Sequence, residues 1–383
     1  MPCQSRGARS RCTGLCLMRI TRLTIDGLRN LKRGELAPGP GLNVLVGPNG
    51  AGKTSVLEAL HLLAYGRSFR GRVRDGLIQT GRDALEVFAE WEEPEGRVRR
   101  AGLRHAGQTW SGRLDGASVN QLGELCVALA ALTFEPGSHA LVSGGGDTRR
   151  RYLDWGLFHV EPDFLPLWRR YGRALKQRNA LLKLRAGADQ FEVWDQELAE
   201  AGESLTARRE RYLDGLQAPL QAASNELSPA LGEAGFAFQP GWRREQLPLA
   251  DALLLARERD LATGFTSVGP HRADWRIEHA RRPGLEALSR GQGKLTALAA
   301  LLAQAEDFAS RRGQWPLVLL DDLASELDLP HQQRLLQRLR ASQAQVFITG
   351  TEVPGALATS SAMLFHVEHG RVEQDVAHRP VAD

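Results

Sequence analysis

The chain has 383 residues, 42% hydrophobic and 25% charged, with four cysteines. That composition excludes a disordered chain, a collagen-like fibre and a disulfide scaffold, and no apolar run reaches the roughly 18–20 residues that cross a bilayer. Net charge is +4, and Arg6, Arg9 and Arg11 lie in an opening stretch without acids, so the remainder is nearly neutral and only local patches bear on an anionic partner.

Residues 1–17 carry Cys3, Cys12 and Cys16 among Arg, Ser and Gly. They lack the apolar core of an export signal and the pairing of a zinc site, and are expected to be a disordered tail or to precede a true start at Met18. Met18 to Ile25 predicts a strand. Leu42 to Val46 is a short buried-strand run, and Ser55 to Leu63 repeats apolar residues at helical spacing.

Between them stands Gly47-Pro48-Asn49-Gly50-Ala51-Gly52-Lys53-Thr54, the pattern G-x-x-x-x-G-K-[ST] in its strand–loop–helix setting. Glycines let backbone N–H groups wrap a phosphate, and the helix N-terminus adds positive charge. Lys53 would reach the β- and γ-phosphates of a nucleoside triphosphate, and the Thr54 hydroxyl would bind Mg²⁺.

Residues 85–91, 99–105 and 109–114 predict successive strands, and Cys126 falls in an apolar helical stretch. One core thiol without an export signal implies a reducing, cytoplasmic setting. From about 155 to 262 apolar residues recur at helical spacing, from Leu167 and Tyr171 through Leu205 and Tyr212 to Leu216, on a polar background. This predicts an inserted helical arm, broken into pieces by Pro162, Pro166, Pro219, Pro229, Pro240 and Pro248. The expected division is 18–154 and 263–383 for two parts of one α/β head, with 155–262 as the arm.

Leu288-Ser289-Arg290-Gly291-Gln292-Gly293-Lys294 opens a helix, with Ser289 and Gln292 spaced as a capping box. The same geometry makes a second anion site. Pro316 to Leu320 predicts a buried strand ending in Asp321-Asp322. Asp321 would hold Mg²⁺ through water, and Asp322 would orient or deprotonate an attacking water. Gln345 to Ile348 predicts the next strand.

The Ser289 segment resembles the ABC signature in the variant L-S-R-G-Q, and Leu323 to Asp328 resembles a D-loop. Together with Asn30, the phosphate loop, 66–70, 149–154, 176–179 and 269–274, the set is similar to the RecF family of bacterial DNA replication and repair proteins, relatives of the SMC ATPases. The likeness runs from about Met18 to Val372.

It implies an ABC-type P-loop ATPase head with an inserted helical arm. Such heads dimerise around two ATP molecules, so that Ser289, Gly291 and Gln292 of one copy complete the site built by Lys53, Thr54, Asp321 and Asp322 of the other. It also implies binding to duplex DNA near single-strand gaps and cooperation with RecO and RecR in loading RecA. Three departures bear on mechanism: Asp322 stands where Glu is usual, which suggests slow hydrolysis; Thr349 to Glu352 follow a strand where transporters carry histidine; and Phe134-Glu135-Pro136 replaces a clear Q-loop glutamine.

Candidate DNA contacts are Arg67 and Arg70 with Arg72 and Arg74, then Arg149, Arg150 and Arg151, and Arg169, Arg173 and Lys176 at i, i+4, i+7. Each also reads as a solvated face, since Asp75, Asp154 and Glu161 lie close by. No aromatic residues are interleaved as single-strand platforms, which favours duplex. The alternatives are a transporter's nucleotide-binding subunit and a P-loop small-molecule kinase, the latter having no use for Ser289.

Overall fold

The computed structural model describes residues 18–70, 76–281, 288–357 and 362–375. The expectations that fall on 1–17, Arg72, Arg74 and Asp75 lie outside the described residues.

The chain opens with a hairpin, β1 (Arg19–Leu28) and β2 (Leu31–Leu36), and then β3 (Leu42–Val46) leads into α1 (Lys53–Tyr65). β4 (Ala84–Glu92), β5 (Val98–Ala106), β6 (Thr109–Leu114) and the two-residue β7 (Ala117–Ser118) follow. These strands form an antiparallel sheet in the order β2-β1-β4-β5-β6-β7. Its alternation is plain on β4, where Leu85, Val87, Ala89 and Trp91 are buried while Glu86 and Glu90 face outward. Outward arginines are matched across strands, Arg100 with Glu90 at 2.7 Å and Arg104 with Glu86 at 3.1 Å.

After α2 (Gly123–Ala128) come β8 (Ala131–Phe134), α3 (Ala140–Ser143), α4 (Gly146–Val160), α5 (Phe164–Leu184) and α6 (Glu192–Leu227). Then follow β9 (Ala234–Gln239), α7 (Leu249–Thr263), β10 (Asp274–His279) and α8 (Arg290–Arg312). The chain closes with β11 (Leu317–Leu320), α9 (Leu323–Glu326), α10 (Leu329–Ala341), β12 (Val346–Gly350), β13 (Met363–Glu368) and β14 (Arg371–Gln374).

The central sheet has the order β14-β13-β3-β12-β11-β8, parallel except for its edge strand β14. Both faces are covered, so its strands are continuous apolar runs. Leu317 and Leu319 point into the core shared with α1 and the antiparallel sheet, while Val318 and Leu320 point into the core of the helical side. The carboxyl ends of β3, β8, β11 and β12 therefore open along one edge, where open α/β sheets bind ligands.

The long helix α6 has 36 residues, about 54 Å at 1.5 Å per residue. Arg178 of α5, fully buried, joins it to Asp195 of α6 at 2.6 Å and Asp260 of α7 at 2.7 Å. Two expectations need correction here. Pro219 lies inside α6 and Pro166 in the first turn of α5, and neither breaks its helix. A first-turn proline removes an N–H that has no intrahelical partner anyway, and around Pro219 the fully buried Leu216 and Leu220 outweigh the lost bond. Nor is this region helical throughout: β9 pairs antiparallel with β10, which lies beyond residue 262, and α4 runs through 154/155.

Candidate nucleotide site

The loop between β3 and α1 is a tight cradle. A Cβ on Gly47 would stand 2.1 Å from the Val367 carbonyl oxygen, and one on Gly52, at φ 117°, 2.8 Å from Leu31. Only glycine fits at either position. Lys53 is buried and donates to the carbonyls of Gly47 (2.7 Å) and Pro48 (2.9 Å). Burial lowers its pKa against the opposing pull of Asp322 and Asp321. The amide side chain of Asn30, in the β1–β2 turn, donates to the Gly50 carbonyl and tethers the loop from outside.

Asp321 and Asp322 follow β11 directly beside this loop. The Thr54 hydroxyl donates to Asp321 Oδ1 at 2.9 Å, and Thr349, on the neighbouring strand β12, donates to the same oxygen at 2.6 Å. Thr349 Oγ1 in turn accepts the Asp322 N–H at 2.9 Å. Burial raises the Asp321 pKa although both hydroxyls oppose it, with Arg70 adding attraction and Asp322 repulsion. Asp322 sits at φ 51°, a left-handed conformation unusual for a non-glycine residue.

A third carboxylate, Glu135 at the end of β8, accepts the Gly137 N–H at 2.6 Å. Burial raises its pKa, the Gly137 bond and His139 only partly offset this, and Asp321 and Glu326 add repulsion. Loop, aspartates and Glu135 line one cavity of about 1020 Å³, with His61 and Tyr65 stacked at 4.0 Å behind it.

The segment 66–70 is fastened by Glu58, a fully buried carboxylate on α1. Arg29 binds it through Nε and Nη2, at 2.6 and 2.8 Å, and the Ser68 hydroxyl donates to it as well. Arg67 and Arg70 consequently line the cavity, together with Arg151 from α4.

Ser289 caps α8 and exchanges bonds with Gln292: its Oγ accepts the Gln292 N–H at 3.3 Å, and its own N–H donates to Gln292 Oε1 at 2.9 Å. The expected capping box is therefore present. Ser289 and Gly291 are exposed, and neither they nor Gln292 line the cavity of their own chain.

One expected DNA contact, Arg149, is corrected. Arg149 is 7% exposed, and Asp274, at 2.6 and 2.9 Å, and the Gly144 carbonyl, at 2.6 Å, hold its guanidinium inside the protein, away from a phosphate backbone. Arg150 is bound to the Ala273 carbonyl at 2.7 Å and to Asp147. Sequence reasoning gives no role to Thr349, Glu58 or Arg29; a hydroxyl ending a buried strand and an acid inside an apolar helix are the available signals.

The model of the family described as RecF/RecN/SMC N terminal domain matches residues 19–371. Proteins named DNA replication and repair protein RecF from Stenotrophomonas maltophilia and Xanthomonas axonopodis are 63% and 64% identical, each over 93% of this chain and 99% and 98% of theirs. The solved structure of the recombination mediator protein RecF-ATP in the RecFOR pathway superposes with a TM-score of 0.86 at 26% identity, covering 96% of this chain and 100% of that one. An Smc head from Pyrococcus furiosus, at 15% identity and TM-score 0.58, shares the fold. These likenesses set aside the transporter and kinase readings, and the chain belongs to the RecF family of DNA replication and repair proteins, ABC-type ATPase heads with a P-loop.

Proposed function

We propose that this chain is an ATP-switched DNA-binding protein that hydrolyses ATP slowly. The observation that carries the reading is the Thr54 hydroxyl bound to Asp321 at 2.9 Å beside the buried Lys53, at the mouth of a phosphate cradle. The donors fit Mg²⁺: a hydroxyl and a carboxylate side by side are the hard oxygen ligands it prefers. When bound, Mg²⁺ would neutralise charge on the β- and γ-phosphates. Lys53 would leave the Gly47 and Pro48 carbonyls to bind the same phosphates, and Asp322 would orient and deprotonate the attacking water. Its shorter reach than glutamate accounts for slow turnover.

Ser289, Gly291 and Gln292 do not line their own cavity, and the first two are exposed, which supports their use by a second copy: an ATP-dependent homodimer in which each capped helix N-terminus closes on the partner's γ-phosphate. On family grounds the substrate is duplex DNA near single-strand gaps, the partners are RecR and RecO, and the outcome is RecA loading in the cytoplasm. Among the described residues no helix is long and apolar enough to cross a membrane.

The test is ATP turnover across a protein concentration series, with and without duplex DNA. Turnover per subunit that rises with concentration and with DNA is expected. A rate indifferent to both would refute shared sites.

A further inference from the structure

Arg67 and Arg151 come from different elements, the turn after α1 and the first half of α4, yet they line the same cavity. Partial burial and the Arg151 charge both lower the Arg67 pKa, so the two cations are held near each other. Neither makes an ion pair with a carboxylate among the described residues, unlike the outer-sheet Arg19, Arg22, Arg100 and Arg104, each of which has a glutamate.

The basic surface does not stop there. Gly66, next to Arg67, lies so near Leu122 and Cys126 that a Cβ on it would stand 3.5 and 3.7 Å from them, and the neighbouring Gln121 accepts a hydrogen bond from Arg169 in the first half of α5. From Arg169 the exposed face of α5 continues through Arg173 and Lys176 to Lys183. These four cations are also without an ion-pair partner among the described residues. Arg170, one position away, is by contrast held by Glu197 and Glu200 at 2.6 and 2.9 Å. Arg173 feels Glu197 only at longer range.

We propose that Arg67, Arg151, Arg169, Arg173, Lys176 and Lys183 form one continuous track for the phosphodiester backbone of duplex DNA, running from the mouth of the nucleotide cavity along the outer face of α5. The inference rests on the reading of the chain as a DNA-binding protein and specifies the surface used. Charge and length commit the track to this occupant. Arg169 to Lys183 spans about 21 Å of helix at 1.5 Å per residue. One strand of a duplex presents roughly six phosphates over that length, one per 3.4 Å. One exposed aromatic side chain, Trp168, stands at the track's start, and no further aromatic lies along the exposed face to stack successive unpaired bases.

The test uses the full chain with ATP and a labelled duplex of about 30 base pairs, read by fluorescence anisotropy between about 50 and 200 mM salt, beside a single strand of the same length. Arg173→Glu with Lys176→Glu is expected to weaken duplex binding at least about 10-fold and to flatten the log–log salt slope by about 2, at about 0.9 for each phosphate no longer neutralised. Arg173→Gln with Lys176→Gln should flatten the slope by the same amount, and it decides the matter if the charge reversal lowers the unfolding midpoint. An unchanged slope in the glutamine variant, with wild-type protein binding duplex, overturns the track and leaves the DNA-binding reading standing. Wild-type protein that binds no DNA in the presence of ATP overturns that reading and the track together. Preference for the single strand overturns the duplex as occupant.

Discussion

The Lys294 ammonium lies 2.7 Å from the Glu326 carboxylate, which ties the helix capped by Ser289 to the turn that begins at Asp322. Both side chains are mostly out of water, 15% and 10% exposed, so neither is free to find another partner in solvent. Glu326 also lies within electrostatic range of Glu135, which in turn feels Asp321. The signature helix is thereby connected, inside one chain, to the carboxylates of its own cavity.

Glu326→Gln keeps the shape and removes the charge, leaving Lys294 half-buried without its counter-ion. The expected cost is about 1–3 kcal/mol of stability, the usual penalty for stranding a buried polar partner. ATP turnover should fall as well, because the capped helix and the Asp322 turn lose their link. A double-mutant cycle with Lys294→Met, read by urea unfolding and by turnover, checks the idea. The two changes should couple by at least about 0.5 kcal/mol, and strict additivity in both readouts would show that the pair links nothing.

Thr349 offers a cleaner separation of binding from chemistry. Its hydroxyl is the only described group that touches both aspartates, donating to Asp321 and accepting from the Asp322 backbone. Thr349→Val preserves the β-branched shape while leaving the Asp322 N–H without its acceptor. Turnover is expected to drop about 10-fold or more, the scale of a misplaced catalytic group. ATP affinity, set largely by the loop and Lys53, should change far less. Thr349→Ser should recover most of the rate; failure of that rescue would mean that the hydroxyl alone does not suffice and that the methyl group also holds the site.

The parts of the site legible in the sequence are those whose chemistry is local. A phosphate cradle must be a contiguous glycine loop between strand and helix, and the Ser289–Gln292 box spans a single turn. The Asp321–Asp322 pair announces itself because a short apolar strand ends in charge. Thr349 carries only the weak mark of a hydroxyl ending a buried strand, since its role exists because β12 lies beside β11 in the sheet. Glu58 is marked only as an acid inside an apolar helix, and its partner Arg29, 29 residues away, looks like an ordinary surface residue until α1 packs against the β1–β2 turn. β9 merges into a helical pattern because its ladder partner β10 lies across α7, and Pro219 suggests a break that packing overrides.

Acid sensitivity follows from His159. Burial lowers its pKa from 6.5 to about 3, with Arg312 adding a smaller repulsion, and its Nε2 has no hydrogen-bond partner among the described residues. The unfolded chain binds a proton near pH 6.5 and the folded one does not until about 3, so stability is full above pH 6.5 and declines as pH falls through that window. The loss is about 2 kcal/mol from pH 7 to pH 5 for this one residue, at about 1.36 kcal/mol per unit. His159→Leu fits the apolar setting of Trp155, Phe158 and Phe308 and removes the titrating group. Urea midpoints measured from pH 7 to pH 5 should fall less steeply in the variant, and parallel profiles would clear His159 of the effect.

Arg149 tests whether position in a basic run decides role. Three arginines stand together at 149–151, but Arg149 turns inward, clasps Asp274 of β10, and has its own carbonyl bound by the Trp275 indole at 2.7 Å. The Asp274 carboxyl is held below the usual range: burial pushes it up, and the bonds from Arg149 and the Trp275 N–H, with the charges of Arg149 and Arg150, together more than compensate. Arg149→Met should cost about 2–4 kcal/mol, somewhat under the full penalty for breaking a buried pair because the Asp274 side chain is 34% exposed. Duplex affinity, measured well below the unfolding midpoint, should remain within about 2-fold of wild type, since the bonds Arg149 makes involve no phosphate. Arg151→Met should do the opposite, weakening DNA binding with little effect on the midpoint. If Arg149→Met instead lost DNA affinity while keeping its midpoint, the guanidinium would have to leave Asp274 in the DNA-bound state, and the run at 149–151 would act as a unit after all.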